Sequence, residues 1–338
     1  VPVHQHTLTA TGAAVVAGLV LLAGCGTATG AAPGQSAHPA TTRPDAHYPV
    51  TVDNCGTEVT FTEPPRRVVT IKSSTTEMLL ALGVADRIVG TGFLDGPAPS
   101  AWADDAAGLH SLADRVPSAE VVLEVEPDLV YAGWESNLTG EGAGERTTLA
   151  ELGVLTYVSP AACKDPAYQP SPLTVDHVLD EITEVATILG VPDAGAALVA
   201  EQRELLASIA PDDRGLTALW YSSGTDIPYV GAGIGAPAVI MDLLGLTNIA
   251  ADIPDTWASF SWEQVVAEDP DVIVLVDAAW NSAEQKRALL AATPATANLT
   301  AVREERYLVI PFAAAEAGVR TIPAAAELAD QLAELSTG

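Results

Sequence analysis

Residues 118–131 read SAEVVLEVEPDLVY and residues 261–275 read SWEQVVAEDPDVIVL, and Ser, Glu, Val, Pro and Asp recur in the two stretches in one order at one spacing. The pairs Glu120 and Glu263, Pro127 and Pro270, and Asp128 and Asp271 keep a single offset, so a shared helix, Pro-Asp turn and strand argue for two similar lobes. Ser118 and Ser261 are placed to cap their helices. The apolar runs 129–132 and 272–276 are too continuous for a strand with one wet face and suit a parallel sheet covered on both sides.

Working outward, further strands are expected at 68–72, 88–91, 154–158, 217–221 and 307–311, with helical patterns between them such as 76–82. The expected fold is α/β: two lobes with mainly parallel central sheets flanked by helices. Between the lobes, residues 173–210 carry apolar side chains at helical spacing, and Gly190-Val191-Pro192 divides them into two helices. The second, 193–210, would form a stiff interlobe strut about 27 Å long at 1.5 Å per residue. The expected organisation is residues 48–172 for the first lobe, 173–210 for the interlobe helices and 211–338 for the second lobe.

The 338 residues exceed one ordinary core, and 48% apolar against 17% charged residues excludes a disordered chain. A formal net charge of −29 would repel a phosphate backbone, so nucleic acid is not an expected partner. His4, His6, His38 and His47 precede the body and only His110 and His177 lie within it, too few to build a bare-metal site with carboxylates. No metal and no resident cofactor are expected. Met78 and Met241 sit in apolar helical patterns, which leaves only tyrosine as an axial ligand for haem.

The run 13–22 is shorter than the roughly 20 residues a spanning helix needs and reads as the apolar part of a signal peptide, residues 1–24. It leads into Leu22-Ala23-Gly24-Cys25, which resembles a bacterial lipobox, so Cys25 is the expected lipidation site and 25–47 a flexible tether; the alternative is a buried Cys in an apolar helix. With Val1 first and no Lys or Arg ahead of the apolar run, a few upstream residues are expected. Export leaves Cys55 and Cys163 as an even pair, expected as a disulfide unless both are free buried thiols.

Pro65-Arg66-Arg67-Val68-Val69 leading into residues 74–83, STTEMLLALG, together with the two Glu-bearing repeats, resembles the helix-linked (class III) substrate-binding proteins of ABC importers, the iron-siderophore, haem and cobalamin family. The resemblance runs from about residue 48 to 335. The wording of 52–56 and 131–137 is most similar to an actinobacterial branch proposed to bind a deazaflavin coenzyme precursor. It implies a monomeric, lipid-anchored receptor on the outer face of the cytoplasmic membrane. This receptor would deliver a small, anionic and partly aromatic solute to permease subunits whose arginines meet Glu120 and Glu263, although complementing a helix dipole would also explain those glutamates.

Ligands of doubly wound sheets meet the carboxyl ends of strands. Those ends carry Lys72, Ser73, Ser74 and Thr75, then residues 93–96, then Trp134 and Glu135 with 136–137; in the second lobe they carry Tyr221, Ser222 and Ser223, with Trp257 and Trp280 nearby and Arg320 in the loop 312–320. Tryptophans there offer faces to a flat solute or simply cover the core. Lys72 and Arg320 either bind an anionic group or pair with the chain's own carboxylates. A ferric siderophore or cobalamin needs no protein ligand to its metal and is the alternative solute. An enzyme is the rival class, but no P-loop, dinucleotide motif or nucleophile elbow is present, and a non-enzymatic binding role is expected.

Overall fold

Cys55 and Gly56, at φ 53° and 77°, make the turn of a β-hairpin with which the computed structural model begins; it describes residues 48–335. The expected leader and tether, with Cys25, lie outside the described residues. The hairpin is β1 (Val50–Asn54) with β2 (Thr57–Phe61). There follow β3 (Val68–Ile71), α1 (Ser73–Ala81), β4 (Ile88–Gly92), α2 (Ala103–Ala107), β5 (Ser111–Ala113), α3 (Ala119–Glu124), β6 (Leu129–Ala132), α4 (Arg146–Glu151) and β7 (Leu155–Val158). They build an all-parallel sheet in the order β5-β4-β3-β6-β7. Every residue of β3 and β6 is buried, as an apolar run covered on both faces requires.

Two helices, α5 (Val175–Ile188) and α6 (Pro192–Ser208), lead to the second sheet. Gly190 at φ 67° ends the first, and Pro192 occupies the opening turn of the next. α5 is fastened to the first sheet by two carboxylates: Tyr131 donates to Glu181 at 2.7 Å and Tyr157 to Glu184 at 2.5 Å. α6, 17 residues long and so about 26 Å, reaches the other side, where Gln202 Nε2 donates to the Val319 carbonyl at 3.0 Å.

The second half contains β8 (Thr217–Ser223), β9 (Tyr229–Gly231), α7 (Ala236–Leu243), β10 (Thr247–Asn248), β11 (Trp257–Ser259), α8 (Trp262–Glu268), β12 (Val272–Asp277), α9 (Ala283–Ala292), α10 (Thr300–Arg303), β13 (Tyr307–Pro311) and α11 (Thr321–Glu334). Its sheet runs β11-β9-β8-β12-β13, with β10 beside β8. β9 is antiparallel to both β8 and β11, while β8, β10, β12 and β13 pair in parallel. The connection between β8 and β9, turning at Gly224 (φ 88°), is too short for a crossover and forces an antiparallel pair.

The sequence repeat is repeated structure. Ser118 Oγ accepts from Val121 N at 3.4 Å and Ser261 Oγ from Gln264 N at 3.1 Å, capping α3 and α8. Just before β6, Asp128 accepts from Arg66 N at 2.7 Å and Arg67 N at 2.9 Å. At the equivalent place before β12, Asp271 accepts from Thr217 N at 2.9 Å. Each Pro-Asp turn thus ties the start of its strand to the start of the neighbouring central strand. Cys55 and Cys163 form a disulfide with a Cα separation of 5.3 Å, joining the hairpin turn to the segment after β7.

Candidate functional site

At its carboxyl end β3 stops on Lys72, held at φ 87°, and α1 begins at once with Ser73-Ser74-Thr75, one turn earlier than the sequence pattern indicates. The Lys72 side chain is fully buried, and its ammonium makes an ion pair with Asp95. Asp95 also accepts from Ser73 N at 3.3 Å, and its own N–H donates to Ser73 Oγ at 2.8 Å. The place expected for an anionic group of a solute, a lysine beside a helix start, is filled by the chain's own carboxylate. Aromatic rings enclose the same ammonium: Trp134 at 3.9 Å, Phe93 at 4.6 Å and Phe312 at 5.0 Å from their centroids. Gly133 makes room for this arrangement, since a Cβ there would stand 2.8 Å from Lys72 Cβ.

Beside this cluster, between the two sheets, lies a cavity of about 540 Å³. Ser74, Trp134 and Glu135 line it from the first half, and Tyr229, Trp257 and Glu316 from the second. Tyr229 and Trp257 stack with rings 15° from parallel and centroids 6.3 Å apart, while Trp134 donates from Nε1 to Glu316 at 3.0 Å. Burial pushes the Glu316 carboxyl up from its ordinary value, and Lys72 opposes that shift. Glu135 accepts from Lys164 N at 2.6 Å, and Lys164 is the single Lys or Arg among the lining residues, against carboxylates at Glu135, Asp255 and Glu316.

The other residues singled out in the sequence stand elsewhere. Thr75 is buried and donates to the carbonyls of Ile71 and Lys72, each at 3.0 Å. Tyr221 is buried with its ring edge-on to Trp262, and its hydroxyl donates to Gly224 O at 2.7 Å; Ser222 beside it is buried, and neither they nor Ser223 line the cavity. The cause is β8 itself: as a central strand it is covered on both faces, so alternate residues all point into core. Trp280 is 63% exposed and meets Phe312 edge-on at 6.1 Å, and it does not line the cavity. Arg320 is paired with Glu77 at 3.3 Å. Both cations proposed for an anionic solute are therefore matched internally. Glu120 and Glu263 are exposed in the first turns of α3 and α8.

Phe93, Asp95 and Glu316 fall within the strand-end loops the sequence marks, 93–96 and 312–320, without being singled out there, whereas Tyr229 and Asp255 lie outside every expected site segment. Tyr229 had one available signal, an aromatic beside a Gly-rich turn; Asp95 and Glu316 had only their place in a strand-end loop, and Asp255 had none. Among the described residues no group of three or more His, Cys, Asp or Glu is placed to hold a metal ion.

Two α/β sheets bridged by paired helices, with an aromatic cavity between them, define a helix-linked binding protein. The periplasmic binding protein family matches residues 68–314, and the chain belongs to it. A cobalamin-binding protein of Halobacterium salinarum is 28% identical over 266 residues, covering 75% of this chain and 66%, just under two thirds, of that relative. YvrC of Bacillus subtilis, an uncharacterized ABC transporter substrate-binding lipoprotein, is 25% identical over 329 residues, covering 95% of each chain. A periplasmic binding protein structure from Veillonella parvula aligns with a TM-score of 0.74 at 25% identity, over 84% of this chain and 97% of that one. An ABC-type Fe3+-hydroxamate transport system structure from Saccharomonospora viridis aligns at 0.72 with 25% identity, over 86% and 100%.

Proposed function

We propose that this chain is the solute-binding subunit of an ABC importer, monomeric and held outside the cytoplasmic membrane by a lipid on Cys25. In this reading it captures a flat conjugated or metal-chelating solute between its lobes and presents Glu120 and Glu263 to the permease. The observation that carries it is the cavity, in which Trp134 of one half and the stacked Tyr229–Trp257 pair of the other line a single space. Three carboxylates against one lysine favour a neutral or cationic solute over an anionic one. A corrinoid or ferric chelate agrees with that charge and with the names of the relatives. A deazaflavin coenzyme precursor is the second reading, supported by the placement of Trp134 and Glu135, from the stretch that resembles that branch, in the cavity wall.

Absorption and fluorescence spectra of the solute that copurifies with the full-length lipoprotein test this. A corrin band or a ferric charge-transfer band supports the first reading, and deazaflavin fluorescence the second. Chemical turnover of the bound solute, in place of its release intact, would reject both in favour of an enzyme. Reversing charge at both Glu120 and Glu263 to Lys is expected to leave solute affinity unchanged and abolish uptake; retained uptake rejects the docking role.

A further inference from the structure

A second cavity of about 290 Å³, which shares no lining residue with the interlobe one, lies within the first lobe, between the start of α1 and the segment through α2. Leu94, Pro97, Ala106 and Leu109 contribute apolar wall, and Glu77 is the single ionisable residue lining it. Glu77 is 2% exposed. Its Oε1 accepts from Arg320 Nη1 at 3.3 Å, and its Oε2, buried as well, has no hydrogen-bond partner.

We propose that this cavity is a second binding site, for a small apolar molecule with one hydrogen-bond donor, an alkyl alcohol or amine, whose O–H or N–H is accepted by Glu77 Oε2. A buried acceptor left unpaired costs about 1–3 kcal/mol, and a donor arriving on an apolar body removes that cost while the body covers the walls. Arg320 holds the carboxyl by its other oxygen, so the acceptor is fixed before any ligand arrives. Burial pushes the Glu77 carboxyl up to about 7, with Arg320 opposing and Asp95 reinforcing the shift. A proton is thus the competitor that a bound donor displaces. This site shares no requirement with the interlobe cavity, and its test is independent of the importer reading.

The test is titration of the full chain with cyclohexanol, cyclohexylamine and methylcyclohexane, followed by saturation-transfer NMR and calorimetry. At least one donor-bearing probe is expected to bind about ten-fold more tightly than methylcyclohexane, the ratio one hydrogen bond of about 1.4 kcal/mol provides. Preference for the amine identifies an ammonium–carboxylate pair and preference for the alcohol a neutral contact; either supports the site. Glu77→Met, which removes the acceptor and puts no donor in its place, is expected to erase the ten-fold preference. Ala106→Leu, which fills the space, is expected to abolish binding of all three probes with the circular dichroism spectrum unchanged. Trp257→Ala is expected to leave probe affinity unaltered. Equal binding of the three probes, no binding of any, a preference that survives Glu77→Met, or loss of binding in Trp257→Ala would overturn the proposal.

Discussion

Each half of the molecule buries a lysine near the carboxyl end of its central sheet, and the two are neutralised differently. In the first half Lys72 meets the Asp95 carboxylate inside a ring of aromatics. In the second, Lys286 of α9 is 1% exposed and donates to the carbonyls of Val276 and Asn281, each at 2.6 Å. A carboxylate cancels the charge outright. Carbonyl dipoles only solvate it, so burial pulls the Lys286 ammonium down to about 8, and Asp277 offsets part of that shift. One problem of desolvation has a closed ion pair as its first answer and a titratable group as its second.

The largest expected effect breaks the first answer. Asp95→Asn strands a buried ammonium and should cost about 3–5 kcal/mol in urea unfolding, whereas Lys72→Met combined with Asp95→Asn should recover much of that loss. If the single variant unfolds like wild type, the pair does not stabilise the lobe. Next comes the covalent link that, among the described residues, only the first half possesses: replacing Cys55 and Cys163 by Ser should lower stability by about 2–4 kcal/mol.

The pH dependence sharpens the contrast. The unfolded chain keeps the Lys286 proton up to about 10.5 while the folded one releases it near 8, so between those values the unfolded state binds more protons and stability rises with pH. Glu77 has the opposite sign: folded, it holds its proton to about 7, against 4.5 unfolded, so stability falls as pH climbs from 4.5 to 7. Lys286→Met and Glu77→Gln should each flatten their own window, by on the order of 1–3 kcal/mol, in denaturation series across pH. A variant whose slope matches wild type contradicts the assignment for that half. The smallest effects concern solute affinity. Trp257→Ala, which removes half of the stacked pair, should weaken binding of the copurified solute by about three- to ten-fold. Trp280→Ala, on an exposed side chain, should change it less than about two-fold, and a larger loss would move the solute toward the Lys72 cluster.

What the sequence disclosed follows from how much each feature repeats or persists. β3, β6, β12 and β13 were legible because strands covered on both faces are continuous apolar runs. α5 and α6 were legible through apolar spacing broken at Gly190-Val191-Pro192. β5, β9, β10 and β11 were not, because two or three residues carry no period to detect. At the site, Trp134 and Trp257 stood out as aromatics at strand edges. The loops that hold Asp95 and Glu316 were marked as strand ends, but the acids themselves were not singled out, because they are two of 44 acidic residues and only the path of the loops decides which of them meets Lys72 and Trp134. Tyr221 misled for the converse reason: its position at the end of a strand is visible in sequence, but the layer of helices that covers it is not.

The aspartates before β6 and β12 have a further consequence. Parallel neighbours have no hairpin to align them, so side-by-side strands in such sheets are free to slip unless something else fixes their phase. Asp128 and Asp271 are such pins, the first gripping the two backbone amides just ahead of β3 and the second the amide and hydroxyl of Thr217 at the start of β8. Because both ends of each pin belong to the same half, the alignment of one sheet owes nothing to the other, and the halves are equipped to assemble as separate units before they meet.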